Sequence, residues 1–278
     1  TFNPDIRFFE RLDKISRIVE EVVIIDNNSK NLNEEELFKY KNVVLIKNKK
    51  NMGIAYALNQ AVNFSIQKGY KWLLTFDQDS EPLENFLDEL KNTYHSYPKK
   101  ENIAVIGSNF FNGNESSDFD KCDYELPYSK KKTVITSGSL ISLMNIKKIG
   151  LFRESFFIDA VDHEFCLRAR FYGYDVIMCN KRIMRHNIGN ISIHKIFGIQ
   201  VGTTNHSPER RYYMFRNNTI LNFEYLLKDP LWVFKNIISK IKTFLLIILL
   251  EKNKLLKIKM IFKGIIDGLL FKGGRLEQ

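Results

Sequence analysis

The sequence predicts an α/β protein built on a doubly wound, mostly parallel sheet with a helical appendage at its C-terminal end. Three observations carry this. Short apolar runs alternate with stretches of helical period through the first half of the chain. Several of those runs stop at an acid, as strands do whose carboxyl ends face a ligand. A chain of 278 residues that is 44% hydrophobic can bury a core large enough for one such domain plus an appendage.

Taken in order, TFNPD opens the chain without Met, and Asn3-Pro4-Asp5 reads as the loop that follows a strand and opens a helix. The strand that should precede it is absent. The first strand of such a sheet is central, so we expect this sequence to be an N-terminally shortened piece, with backbone groups left unpaired at the gap. Residues 21–26, EVVIID, form a short strand ending at Asp26 before the turn-prone Asn27, Asn28 and Ser29. Residues 43–47, VVLIK, form a second strand. After it Ala55, Leu58, Ala61, Val62 and Ile66 fall at helical spacing, with Gly53 at the mouth of that helix. A strand at 72–76, a helix at about 83–97 and a strand at 103–106 continue the alternation. Beyond an acidic loop, KKTVITSGSLIS reads as two short strands around Ser137-Gly138-Ser139, followed by a turn of helix. A further apolar run ends in acids, a helix follows, and residues 175–179 make another strand. A helix over 208–227 closes the main domain, which we place at 1–227, with 228–278 as a basic amphipathic tail.

The most telling stretch is KWLLTFDQDS, where an apolar run gives way to Asp77 and Asp79. These acids would emerge together at the carboxyl end of a buried strand, where open α/β sheets bind ligands. Two hard carboxylates side by side suit Mg²⁺ or Mn²⁺ with coordination sites left for phosphate oxygens. About one D-x-D is expected by chance in a chain of this composition, and a second is present. Asp118 and Asp120 lie in a polar stretch with no strand leading in, and they read as a solvated loop.

Three other sets of residues carry possible chemistry. Asp162 would start the helix containing Phe165, Leu167 and Ala169, near its positive end, as a general base aimed into the cleft or equally as a helix cap. Glu164 lies four residues before Arg168 and is read as half of an ion pair. A lone histidine is more often surface or packing than ligand, but His186, beside a glycine and two asparagines, has cleft-like surroundings and would add an imidazole to the two carboxylates. Arg211 and Arg216 would answer the charge of a diphosphate or else line a solvated helix face; the adjoining tyrosines favour the ligand.

Composition excludes several classes. Three cysteines without C-x-x-C spacing argue against a disulfide framework or a structural zinc site and fit a reducing cytoplasm. No signal peptide is visible, and the longest apolar run, residues 244–250, is far below the roughly 20 residues of a membrane span. The net charge of +10 invites a nucleic-acid reading, yet residues 228–278 hold eleven Lys or Arg against four acids while the rest is nearly neutral. A basic excess interleaved with Leu, Ile and Phe fits helices lying on an anionic membrane surface better than nucleic acid. The duller alternative is a helix pair packed on the main domain with a lysine-rich solvent face. No G-x-G-x-x-G follows a strand, which disfavours a dinucleotide oxidoreductase.

In order along the chain, TFNPD, VVIIDNNS, NMGIAYALNQA, LLTFDQDS, SGSLIS, FFIDAVDHEFCLR and RYYMFRNN resemble the family 2 glycosyltransferases, in particular their bacterial rhamnosyltransferase branch. The resemblance runs from Thr1 to about residue 222. It implies a GT-A fold, a nucleotide-diphosphate sugar donor and a divalent cation, Mg²⁺ or Mn²⁺, bridging the diphosphate. It places Asp26 against the nucleobase with Thr1 beside it, and Asn51, Gly53, Ser137 and Gly138 along the nucleotide. Asp77 would face ribose and metal, Asp79 and His186 would bind the metal, and Asp162 would be the base. Val161 stands before Asp162 where the commoner form has Glu-Asp. The implied reaction is an inverting single displacement, most readily from dTDP-L-rhamnose to a lipid-linked saccharide at the cytoplasmic face of the membrane. The rivals are a galactofuranosyl or other hexosyl transferase of the same family, and a catalytically silent nucleotide- or surface-binding protein.

Overall fold

The computed structural model describes residues 1–112, 125–186, 192–196 and 199–276. The second D-x-D pair, Asp118 and Asp120, lies outside them. The chain divides into two compact units, one formed by Thr1–Phe152 with Asp162–Asn187, the other by Arg153–Val161 with Ile188–Gln278. The expected boundary at 227/228 therefore falls inside the second unit.

The first unit opens with α1 (Phe8–Ile18), β1 (Val22–Asp26), α2 (Glu34–Leu37), β2 (Val43–Lys47), α3 (Ile54–Gln67) and β3 (Trp72–Thr75). It continues through β4 (Glu81–Pro82), α4 (Phe86–Ser96), β5 (Ile103–Asn112), β6 (Tyr128–Lys130), β7 (Ser139–Ser142) and α5 (Leu143–Ile149). From residue 162 it takes most of α6 (Val161–Phe171) and ends with β8 (Asp175–His186). Strands β1 and β2 pair in parallel as a two-stranded sheet. The larger sheet runs β3-β7-β5-β8-β4, with β6 beside β8.

The strand–helix alternation is as expected, and the larger sheet is mixed. Strand β7 runs antiparallel to both β3 and β5, whereas β5 and β8 are parallel. Only the second of the two strands expected around Ser137-Gly138-Ser139 forms. Residues before it turn back on β3, where the Thr75 hydroxyl donates to the Thr136 carbonyl at 2.5 Å and the Gly138 amide donates to the Thr75 carbonyl at 2.6 Å. Strand β8 is also longer than the five residues expected, and His186 is its last residue. Its last eight residues, CNKRIMRH, hide their strand character in sequence because polar residues interrupt the apolar ones, and of the eight Cys179, Ile183 and Met184 are buried.

The core of this unit lies under α4, where Phe86, Leu90, Ile103, Ile106, Ile177 and Ile183 are fully buried. Burying each such side chain contributes about 1.5–3 kcal/mol. A smaller cluster of Phe8, Leu12, Ile24 and Leu37 packs α1 on β1.

The second unit holds the hairpin of β9 (Ser192–Ile196) and β10 (Ile199–Thr203), then α7 (Pro208–Tyr225), α8 (Pro230–Leu250) and α9 (Lys254–Leu269). Proline at the first position and a side-chain cap start two of these helices. Ser207 accepts from the Arg210 amide and Asp229 from the Trp232 amide. Helix α9 approaches α7 at Gly264 and Gly268, where a Cβ would come within 2.5 Å of the Tyr212 carbonyl oxygen and 2.7 Å of the Arg216 carbonyl oxygen. The glycines thus serve close backbone approach in a helix whose composition is otherwise that of a surface element.

Candidate active site

The acids after β3 and the end of β8 meet in the first unit. Each of Asp77, Asp79 and His186 offers one ligand atom, and the three atoms lie within 4.8 Å of one another. Strand register explains the meeting. Glu81 pairs with Arg185 and Pro82 with Met184, so the residue before Glu81 falls against His186.

That residue is Ser80, which is fully buried. Its hydroxyl lies 2.8 Å from His186 Nδ1 and 2.6 Å from Ser137 Oγ. Ser137 Oγ in turn accepts the Asp77 amide at 3.0 Å. A continuous chain of hydrogen bonds therefore links the backbone of the first acid to the imidazole ring. The ring stacks edge-on against Phe110 at 5.5 Å, and its Nδ1 sits 3.6 Å from Asp79 Oδ1. The sequence reading did not identify Ser80. Its signal is a small hydroxyl residue directly after the acid pair, legible only once β4 is known to return along β8.

Two carboxylates and an imidazole, partly open to solvent, form a donor set that fits Mg²⁺ or Mn²⁺, the nitrogen favouring the latter. Gly138 follows Ser137 in a tight turn bonded to Thr75. It has φ of +69°, and a Cβ there would lie 2.1 Å from Ser108 Oγ.

Asp26, at the end of β1, is fully buried. Its Oδ1 accepts from the Thr1 hydroxyl at 2.9 Å and the Ser29 hydroxyl at 2.5 Å, and its Oδ2 from the Ser29 amide at 2.9 Å. Burial works to raise this carboxyl, but the hydrogen bonds from Ser29 and Thr1 outweigh it and hold it below the usual carboxylate range. Asn51 Oδ1 accepts the Gly53 amide at 2.9 Å in the turn that enters α3. An amide network that the sequence reading missed supports this corner. Asn27 Oδ1 accepts from Asn48 and from the Met52 amide, and Asn48 and Gln60 exchange two hydrogen bonds of 2.9 Å.

Asp162 stands in the first turn of α6, where its Oδ1 accepts the His163 amide at 2.8 Å. It lines a small recess with Thr136, Ser139, Phe152 and Phe165. Glu164 makes the i, i+4 ion pair expected of it, a two-pronged contact with Arg168 at 2.8 and 2.9 Å.

Arg211 and Arg216 belong to the second unit, and their roles there are internal. Both are 1% exposed. Arg211 bonds Glu251 at 2.5 Å, and Lys257 holds the other Glu251 oxygen at 2.7 Å. Arg216 lies over the rings of Tyr212 and Tyr213 and donates to the carbonyls of Gly274, Ser155 and Phe156. The grip on a diphosphate expected from sequence gives way to this packing role, because a buried acid and several carbonyls in the unit need cations. Asp159, near the expected base in sequence, pairs with Arg210 at 3.3 Å.

Comparison with known proteins identifies the family and the fold. The model of Glycosyl transferase family 2 matches residues 7–158. The dTDP-rhamnosyl transferase RfbF of Shigella flexneri is 31% identical over 294 residues, covering 99% of this chain and 96% of that protein. Among solved structures, S. aureus TarS 1-349 has a TM-score of 0.60 at 16% identity, covering 96% of this chain and 78% of that one. A second S. aureus TarS structure gives 0.52 at 17% identity, covering 81% and 38%. These likenesses carry the GT-A fold expected from the sequence motifs. The chain belongs to glycosyl transferase family 2.

Proposed function

We propose that this chain transfers L-rhamnose from dTDP-L-rhamnose to a hydroxyl of a lipid-linked or growing cell-surface saccharide, with inversion at the anomeric carbon. The observation that carries the reading is the convergence of Asp77, Asp79 and His186 at the carboxyl end of β3. Similarity to a dTDP-rhamnosyl transferase over nearly the whole of both chains supports the choice of donor. Asp77, Asp79 and His186 would hold Mg²⁺ or Mn²⁺. Such an ion supplies positive charge against the departing diphosphate.

The chain's own residues do the rest. Ser80 and Ser137 keep the ring of His186 and the backbone of Asp77 in fixed relation. Asp26 and Thr1 meet the nucleobase, while Asn51, Gly53, Ser137 and Gly138 line the path of the nucleotide. Asp162 takes the proton of the acceptor hydroxyl as its oxygen bonds to the anomeric carbon. The bond from that carbon to the diphosphate breaks, and the nucleoside diphosphate leaves with the electron pair. We place the enzyme at the cytoplasmic face of the cell membrane, held peripherally by its basic tail. Among the described residues no helix is long and apolar enough to cross a membrane.

The test is a donor panel. The protein is incubated with Mn²⁺ and dTDP-rhamnose, UDP-galactofuranose, UDP-glucose or UDP-N-acetylgalactosamine, and released nucleoside diphosphate is measured. Release from dTDP-rhamnose alone is the expected result. Turnover of a UDP-sugar instead would move the chain to the hexosyl or galactofuranosyl branch. No turnover of any donor, with nucleotide binding retained, would mark a silent binding protein.

A further inference from the structure

Helix α8 presents an apolar stripe that stays exposed among the described residues. Leu231, Phe234, Ile238, Ile241, Leu245 and Leu249 recur every three or four residues and are between 50% and 70% exposed. The other side of the helix is satisfied, with Trp232, Val233 and Ile247 buried inside the unit. Helix α9 adds exposed Leu255, Phe262 and Ile266. A contiguous apolar surface of this extent marks a binding face.

The charges around it identify the occupant. Residues 230–276 contain only two acids, Glu251 and Asp267, and both are buried, at 2% and 5% exposure. Glu251 is neutralised by Arg211 and Lys257, and Asp267 by Lys263 and Lys272, with the Tyr212 hydroxyl as a further donor to Asp267. The fold thus internalises the negative charge of residues 230–276 and leaves the exposed charge of that stretch wholly positive. Lys235 and Lys242 are exposed one heptad apart beside the apolar stripe, and Lys252, Lys254 and Lys259 are exposed at the helix junction and on α9. A second copy of the chain would bring these lysines against their own kind, with no exposed acid on the face to answer them. A flat surface that is apolar below and anionic above answers both features at once.

We propose that α8, with the adjoining face of α9, docks on an anionic phospholipid bilayer. Phe234, Ile238, Ile241 and Leu245 enter the boundary between headgroups and acyl chains, and the lysines meet lipid phosphates. The helix lies in the plane of the interface. This deepens the reading above that the enzyme works at a membrane surface, by naming the face and its lipid class, and it rests on the tail's own surface.

The test is co-sedimentation of the full chain with vesicles of phosphatidylcholine, with and without phosphatidylglycerol, without nucleotide sugar. Binding is expected only to the anionic vesicles, and it should fall at least tenfold in 0.5 M NaCl. Phe234→Glu with Ile241→Glu should lower binding at least tenfold, and Lys235→Gln with Lys242→Gln about fivefold per lysine. All four side chains are exposed, so unchanged circular dichroism and donor turnover check that the variants fold. Equal binding to both vesicle types, or wild-type binding by the Phe234→Glu, Ile241→Glu variant, would overturn the proposal. So would a dimer in sedimentation velocity that this variant dissolves, which would give the face to a second copy. An enzyme that turns over dTDP-rhamnose yet ignores anionic vesicles overturns the docking alone. One that binds vesicles but turns over no donor overturns the functional reading alone.

Discussion

Replacing Ser80 by alanine isolates the part of the metal site that the acids themselves do not supply. The hydroxyl is fully buried and makes two contacts, 2.6 Å to Ser137 Oγ and 2.8 Å to His186 Nδ1. Ser137 keeps the Asp77 amide as a partner, so one strong hydrogen bond to the ring is what the variant loses without replacement. An orphaned buried polar group costs about 1–3 kcal/mol of stability, a fall of several degrees in Tm for a chain of this size. Loss of an outer-shell partner to a ligating histidine lowers metal affinity about 10- to 100-fold, or roughly 1.4–2.7 kcal/mol. The assay is a Mn²⁺ titration followed by the electron paramagnetic resonance signal of free Mn²⁺. Ser80→Thr keeps the hydroxyl and should recover most of the affinity. A Ser80→Ala protein that binds Mn²⁺ within twofold of wild type would show that His186 is oriented without this hydroxyl.

Other outcomes follow from the same geometry. Asp162→Asn should slow transfer about 10²- to 10⁴-fold while Mn²⁺ and donor affinities stay within twofold, as stopped assays and calorimetry would read; full activity removes it as the base. Burial, aided by the charges of Arg210 and Arg211, pushes His206 from 6.5 down to about 4. The unfolded chain then takes up this proton before the folded one does, so stability should fall as pH drops from 6.5 towards 4. His206→Gln should flatten that stretch of the Tm–pH curve, and an unchanged slope would show that other groups set it. Gly138→Ala sets a side chain at φ of +69° and within 2.1 Å of Ser108 Oγ, and it should cost about 2 kcal/mol or more in a denaturant melt. A loss below 0.5 kcal/mol would mean that the turn relaxes freely.

Much of the first unit was legible in the sequence because its strands are short apolar runs with acids or turn residues at their ends. Strand β2 was expected at its observed bounds, and the expected limits of β1, β3 and α4 differ from those observed by a few residues at most. Strand β8 was underestimated because polar residues interrupt the apolar ones in its second half: Ile183 and Met184 are buried there, while Lys181, Arg182, Arg185 and His186 stay exposed or half-buried. The antiparallel insertion of β7 was invisible, since strand direction is set by long-range pairing and leaves no local mark.

The site divides along the same line. Asp77 and Asp79 stood out as acids closing an apolar run, and His186 as a histidine among turn residues. Ser80 and the Asn27–Asn48–Gln60 network did not, because small polar residues are common in loops and acquire meaning only through their partners. Arg211 and Arg216 misled in the opposite sense. Arginines beside tyrosines look alike whether they serve a phosphate or a buried glutamate, and Glu251 lies forty residues away from Arg211 in sequence.

The most direct test of the account is pulsed electron paramagnetic resonance on Mn²⁺ bound to the full chain. One ion held by Asp77, Asp79 and His186 should show a nitrogen coupling from one coordinated imidazole, lost in His186→Gln, and Mn²⁺ binding weakened severely in Asp79→Asn. Tight Mn²⁺ binding with no nitrogen coupling, or a coupling that survives His186→Gln, would contradict this coordination.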